Sequence, residues 1–291
     1  MAWTDGGIGK EASEACTFSR RNLLGLIGAT AAATLMEGAG GEFASASAQL
    51  GATTQPMNAR VVKIDAKPEP ISIDVVRTSV IVVDMQNDFG AKGGMFDLAG
   101  IDISGIRKAI APTAKVLTSA RQAGIKIVYL KMAFRPDLSD FGASDSPNRL
   151  KHQPFSVGKI NHAPDGRESR ILIRDTWDTD ILDELKSKAD DVVIYKHRYS
   201  GFYQTDLDAT LRKLGIKYLI ITGCTTSVCV EATVRDAMYR DYSCVLLQDC
   251  MIQPTLGHSV PGSSDDASLV LTEASFGWVS NSEQFIKSLQ S

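Results

Sequence analysis

Cysteine, proline and charge of a single sign are all scarce in this chain. Its 291 residues include 5 Cys and 10 Pro, and 31 Lys+Arg stand against 34 Asp+Glu for a formal net charge of −3. So few cysteines in so long a chain exclude a disulfide-built scaffold. Low proline beside 24 Gly excludes collagen-like and low-complexity classes. The balanced charge supplies no basic field, so nucleic acid is not expected as a partner. Beyond residue 36 no segment reaches the roughly 18 apolar residues of a membrane span, so no permanent membrane anchor is expected. What remains is a chain that is 44% hydrophobic and 22% charged, long enough for one large domain or two small ones.

The first residues read as an address. Arg20-Arg21 precedes an apolar, small-residue run from Leu23 to Met36, and a small-residue tract ends in Ala46-Ser47-Ala48 before Gln49. That order matches a twin-arginine export signal with an A-x-A exit. The expected organisation is a signal over 1–48, an N-terminal extension over 49–76 and one domain over 77–291. Export to the periplasm follows if the signal is real, and a cytoplasmic protein if it is not. Cys16 lies in the signal; Cys224, Cys229, Cys244 and Cys250 remain, and free thiols are expected of them.

Downstream, strand and helix patterns alternate. Thr78 to Val83 (TSVIVV) is the β-branched apolar run of a parallel strand buried on both faces. Further strands are expected over 126–130, 192–195, 218–222, 244–247 and 277–279. Helices are expected over 106–123, 206–214, 227–240 and 282–289, the first two stopping at Gly124 and Gly215. Residues 134–178 are polar and too long for a plain connection, which predicts a functional excursion. The alternation predicts a three-layer α/β/α sandwich with a mainly parallel central sheet. Ligands in such sheets bind beyond the carboxyl ends of the strands.

Three reactive side chains fall at those ends: Asp84 after the first strand, Lys196 after the third, and Cys229 shortly after the fourth. Taken singly, each has a plain reading: a helix cap, a solvated charge, a small buried hydrophobe. Together they form a nucleophile, a proton acceptor and a charge to orient them. A thiol in the first turn of a helix meets the positive end of the dipole, which favours thiolate. Nearby backbone N–H groups can hold an oxyanion.

With DMQNDF around Asp84, Lys196, and GCTTSVCVEATVRDA around Cys229, the sequence resembles the isochorismatase-like cysteine hydrolases over nearly all of 78–289. The resemblance implies Asp84, Lys196 and Cys229 as the catalytic set. It also implies a non-proline cis peptide at Cys224-Thr225, in the loop whose N–H groups face the oxyanion. The segments GGMFDLAGIDIS (93–104), RYSGFYQTDLD (198–208) and FGWVS (276–280) resemble members acting on ureides, and Lys92-Gly93-Gly94 those acting on biuret. The implied substrate is therefore a small ureide or amide. A homo-oligomer, dimer or tetramer, is implied as well.

Departures from the family pattern narrow this further. Metal-binding members carry Asp-x-His after the second strand, where this chain reads Met132-Ala133-Phe134, so neither metal nor other cofactor is expected. Members acting on vinyl ethers lack the cysteine. Candidate substrate contacts are Gln86 and Asn148 for amide or carboxylate oxygens, or else a cap and a turn residue. Arg198 is a candidate clamp for an anionic tail, or else a structural ion pair. Phe89, Phe134, Tyr199 and Trp278 are candidate apolar walls, or else ordinary core. Gly257 to Pro261 imitates a serine elbow and Gly6 to Lys10 a phosphate loop, but neither has the surrounding elements. A non-catalytic binding protein, or a thiol sensor using Cys224 and Cys229, is the alternative from another class.

Overall fold

In a computed structural model the described residues are 59–252, 254 and 263–291. The proposed signal, its exit site and the Gly257–Pro261 segment lie outside them. Among the described residues the strands are β1 (Val61–Ile64), β2 (Ile71–Asp74), β3 (Thr78–Val83), β4 (Lys126–Met132), β5 (Ile160–His162), β6 (Glu168–Arg170), β7 (Val192–Lys196), β8 (Tyr218–Cys224), β9 (Ser243–Ile252) and β10 (Trp278–Ser280). The helices are α1 (Asn87–Gly90), α2 (Met95–Leu98), α3 (Ser104–Gln122), α4 (Pro147–His152), α5 (Leu207–Lys213), α6 (Glu231–Met238), α7 (Ser263–Leu271) and α8 (Ser282–Ser288).

Six strands form one sheet in the order β10-β9-β8-β3-β4-β7, every neighbouring pair parallel. β3 lies inside this sheet, and all six of its residues are buried. Its side chains alternate as a period of two demands. Val80 and Val82 join the core with Ile106 and Ile110 of α3 and Phe285 of α8, while Ile81 and Val83 join Leu207 and Leu211 of α5 and Val234 of α6. Those two cores make the three layers. They also follow from handedness: the chain moves β3-β4 through α3 on one face, then reverses from β7 to β8 through α5 on the other.

That reversal creates a switch point between β3 and β8, where the connections leave in opposite directions and a crevice opens beyond the carboxyl ends. The helix stops act as their sequences indicate. After α3, Gly124 at φ 78° lets Ile125 N–H reach the Ala120 carbonyl at 2.9 Å, and Gly215 at φ 67° does the same between Ile216 and Leu211.

Three expectations are corrected. The helix over 227–240 begins as a wide π turn, Thr226–Val230, before α6 starts at Glu231. The supposed extension is, from Val61, part of the core: β1 and β2 pair antiparallel and bury Val62, Ile64, Ile71 and Ile73. Finally, the excursion carries structure of its own, with α4 and the antiparallel β5–β6 pair. Ser146 caps α4 by accepting from Arg149 N–H, with Pro147 in the first turn.

Candidate active site

The parallel register brings three strand ends together. Val83 is level with both Leu130 and Gly223, and Met132 is level with Lys196. Asp84 therefore leaves β3 between β8 and β4, in the left-handed region at φ 51° that Asp tolerates better than most residues. Its Oδ1 accepts from Met132 N–H at 2.9 Å, and its Oδ2 lies 2.8 Å from Lys196 Nζ. Both side chains are fully buried. Lys196 Nζ also donates to the Arg198 carbonyl at 3.3 Å.

Cys229 approaches from the π turn. Thr225 begins that turn in extended conformation, and Val230 N–H returns to the Thr225 carbonyl at 3.2 Å. The Cys224-Thr225 peptide is cis. Thr233 Oγ1 donates to the Cys229 carbonyl at 2.7 Å and accepts from Gly201 N–H at 3.0 Å, tying this turn to the loop after β7. The Cys229 thiol faces the Asp84–Lys196 pair, and both side chains bear on its ionisation. Gly223 allows the close approach of β8 to β3: at φ 114°, a Cβ there would lie 2.0 Å from the Val83 carbonyl oxygen.

Electrostatics are set by burial and by how the three groups act on one another. Burial pushes the Cys229 thiol up to about 12, with Lys196 opposing and Asp84 adding to the rise. Desolvation of the anion thus works against the thiolate that the helix dipole favours. Asp84 is likewise raised by burial despite Lys196. For Lys196 burial works against the charge, but Asp84 and Cys229 outweigh it and raise the ammonium. Cys224, buried below them, donates its thiol to the Asp84 carbonyl at 3.1 Å.

Above Cys229 lies a cavity of about 100 Å³. Phe89, Tyr199 and Thr225 line it, as the sequence indicates. Five other candidates are placed elsewhere. The Gln86 amide is spent on backbone, donating to the Met132 and Thr179 carbonyls at 3.1 and 3.2 Å and accepting from Met132 N–H at 2.7 Å. Asn148 donates to the Phe141 carbonyl at 3.0 Å. Arg198 donates to the Asp140 and His197 carbonyls and faces a separate, open groove of about 720 Å³ beside β7. Trp278 sits on β10 at the far edge of the sheet. Phe134 is buried behind the cavity wall, against Phe141 and His152.

The walls missed by sequence reasoning are Met95 and Phe96 from α2, and Lys151, His152, Phe155 and Leu172 from the excursion. The excursion's length and polarity were the available signal; which residues turn inward was not. His152 is held by its Nδ1, 2.7 Å from the Asn148 carbonyl, and burial pushes its ring pKa down. Since a carbonyl only accepts, Nδ1 carries a proton.

A parallel three-layer sandwich with a buried thiol, carboxyl and ammonium at its switch point defines a class, and the comparisons agree. Residues 78–284 match the isochorismatase domain, and the chain belongs to the isochorismatase family of hydrolases. Among curated proteins it is similar to the ureidoacrylate amidohydrolase RutB of Methylorubrum extorquens (strain DSM 6343 / CIP 106787 / DM4), 39% identical over 79% of this chain and 90% of the relative. It is also similar to that of Caulobacter segnis, 37% identical over 79% and 93%. A solved cysteine hydrolase from Pseudomonas syringae pv. phaseolicola 1448A superposes with a TM-score of 0.63 at 30% identity, covering 80% of this chain and 99% of that one. The N-carbamoylsarcosine amidase of Thermoplasma acidophilum gives 0.51 at 26%, covering 71% and 97%.

Proposed function

We propose that this chain hydrolyses a C–N bond of a small ureido or carbamoyl amide, of the ureidoacrylate kind, through a covalent acyl-Cys229 intermediate and without a cofactor. The observation that carries this reading is the buried Asp84–Lys196 pair set beside the Cys229 thiol beneath a small, largely apolar cavity. The relatives' names point to the same bond type.

The thiol passes its proton to Asp84 as sulfur attacks the carbamoyl carbon, and the carbonyl electron pair moves onto oxygen. N–H groups at Thr225 and Cys229 hold that oxyanion, and Lys196 balances the charge around Asp84 and sulfur. As the C–N bond breaks, protonated Asp84 delivers its proton to the leaving nitrogen. A water then gives its proton to Asp84 and adds its oxygen to the acyl carbon. Breaking the C–S bond returns the proton to sulfur and releases a carbamate, which decays to an amine or ammonia and carbon dioxide. The neutral resting thiol suits this order, because charge develops on sulfur only as the new bond forms.

The assay is ammonia release by residues 49–291 from ureidoacrylate, biuret and a simple amide, beside Cys229→Ala. Release from a ureide, lost in the variant with unchanged melting, is expected; release that survives Cys229→Ala would refute the acyl-enzyme. Preference for biuret would move the substrate within the class. We also propose export through the twin-arginine segment, supported by Arg20-Arg21 and Ala46-Ser47-Ala48. Homo-oligomer formation rests on the family resemblance.

A further inference from the structure

We infer that Lys151 selects substrates that carry a carboxylate, acting as the counter-ion for their non-reacting end. This rests on the hydrolase reading above and extends it to a residue that the sequence did not single out. The cavity over Cys229 has walls of Phe89, Met95, Phe96, Phe155, Leu172 and Val228, and no Asp or Glu contributes to them. Lys151 is the one charged side chain in that wall among the described residues. It is exposed where its neighbour His152 is buried, so Lys151 borders the solvent side of the cavity while the Cys229 thiol is buried.

Three other cations on this side are turned elsewhere: Lys196 is paired to Asp84 at 2.8 Å, Arg198 donates to the Asp140 and His197 carbonyls, and Arg149 lies over the Phe141 ring. Burial pushes the His152 ring pKa down. Lys151, by contrast, makes no ion pair among the described residues. An ammonium at the rim of an apolar, acid-free cavity attracts an anion more strongly than it would in open water. A linear amide that places its carbamoyl carbon on sulfur extends its other end toward the mouth. The role sought for Arg198 from the sequence therefore falls to Lys151.

The test compares ureidoacrylate with its methyl ester, following ammonia, in the wild type, Lys151→Gln and Lys151→Arg. Lys151→Gln should raise KM for the acid about tenfold, the scale of one charge-assisted hydrogen bond, and leave kcat and the ester little changed. Lys151→Arg should restore most of the affinity. An equal loss for acid and ester, or no loss for either, overturns the inference. A second readout needs no turnover: protection of Cys229 from iodoacetamide by malonamate, against neutral malonamide. Protection by malonamate should exceed that by malonamide in the wild type and equal it in Lys151→Gln; equal protection in the wild type refutes the anion site. If neither ureide is hydrolysed but the selective protection holds, the proposed reaction fails and the anion site stands.

Discussion

Cys229 and its two partners behave as a unit because none, buried as they are, can carry its charge alone. The thiol near 12 means that only a small fraction is ionised at neutral pH, and that this fraction grows about tenfold per pH unit until the thiol titrates. Alkylation of Cys229 by iodoacetamide should therefore keep accelerating through pH 9 and 10, with no plateau at the roughly 8.5 of an ordinary thiol. Mass spectrometry of the labelled peptide across pH measures this; a plateau below 8 would show a resting thiolate. At this scale Asp84, Lys196 and Cys229 were legible because each follows a recognisable strand. Gln86, Asn148 and Arg198 were not, because a polar side chain in sequence does not reveal whether backbone carbonyls will occupy it.

Among the elements, the excursion is held to α1 and α2 by a pair of buried carboxyls. Asp88 Oδ1 accepts from Met95 N–H at 3.1 Å and its Oδ2 from Leu172 N–H at 2.8 Å, so it spans two walls of the cavity. Asp178 receives Asn161 Nδ2 at 2.9 Å and the Ser169 hydroxyl. Burial, and then the facing Asp178, push the Asp88 carboxyl well above its usual range. A raised acid binds its proton more tightly folded than unfolded, so its contribution to stability is full below the unfolded value near 4 and falls as pH rises through the folded one. Asp178→Asn removes the repulsion but not the burial. Denaturant melts at pH 4.5 and 7.5 should show a smaller loss of stability between these pH values in the variant than in the wild type. An equal loss would mean that Asp178 does not act on Asp88. Neither contact was legible, since Asp88 and Asp178 lie far apart in sequence and meet only when the excursion folds back.

At the scale of the whole molecule, residues 59–76 are structural. Removing residues 59–76 would take Val62, Ile64, Ile71, Ile73 and Val75 out of the core. At roughly 1.5–3 kcal/mol per buried side chain, that loss is comparable to the ~5–15 kcal/mol stability of a typical domain. Residues 77–291 should accordingly lack the cooperative thermal transition that 59–291 shows, as calorimetry would record. The boundary escaped the sequence reading because two four-residue strands carry little periodicity.

The sequence by itself determined the layered parallel sheet and the order of its reactive ends. A strand buried on both faces must be a β-branched run, and helix stops must supply a left-handed residue; both demands are local and leave a trace in the chain. Tertiary structure alone decided the pocket and its charge. The walls come from four separated places: Phe89 to Phe96, Met132, Lys151 to Leu172, and Tyr199 to Cys229. Only their meeting at the β3–β8 switch point sets that Arg198 is spent on carbonyls while Lys151 borders the cavity.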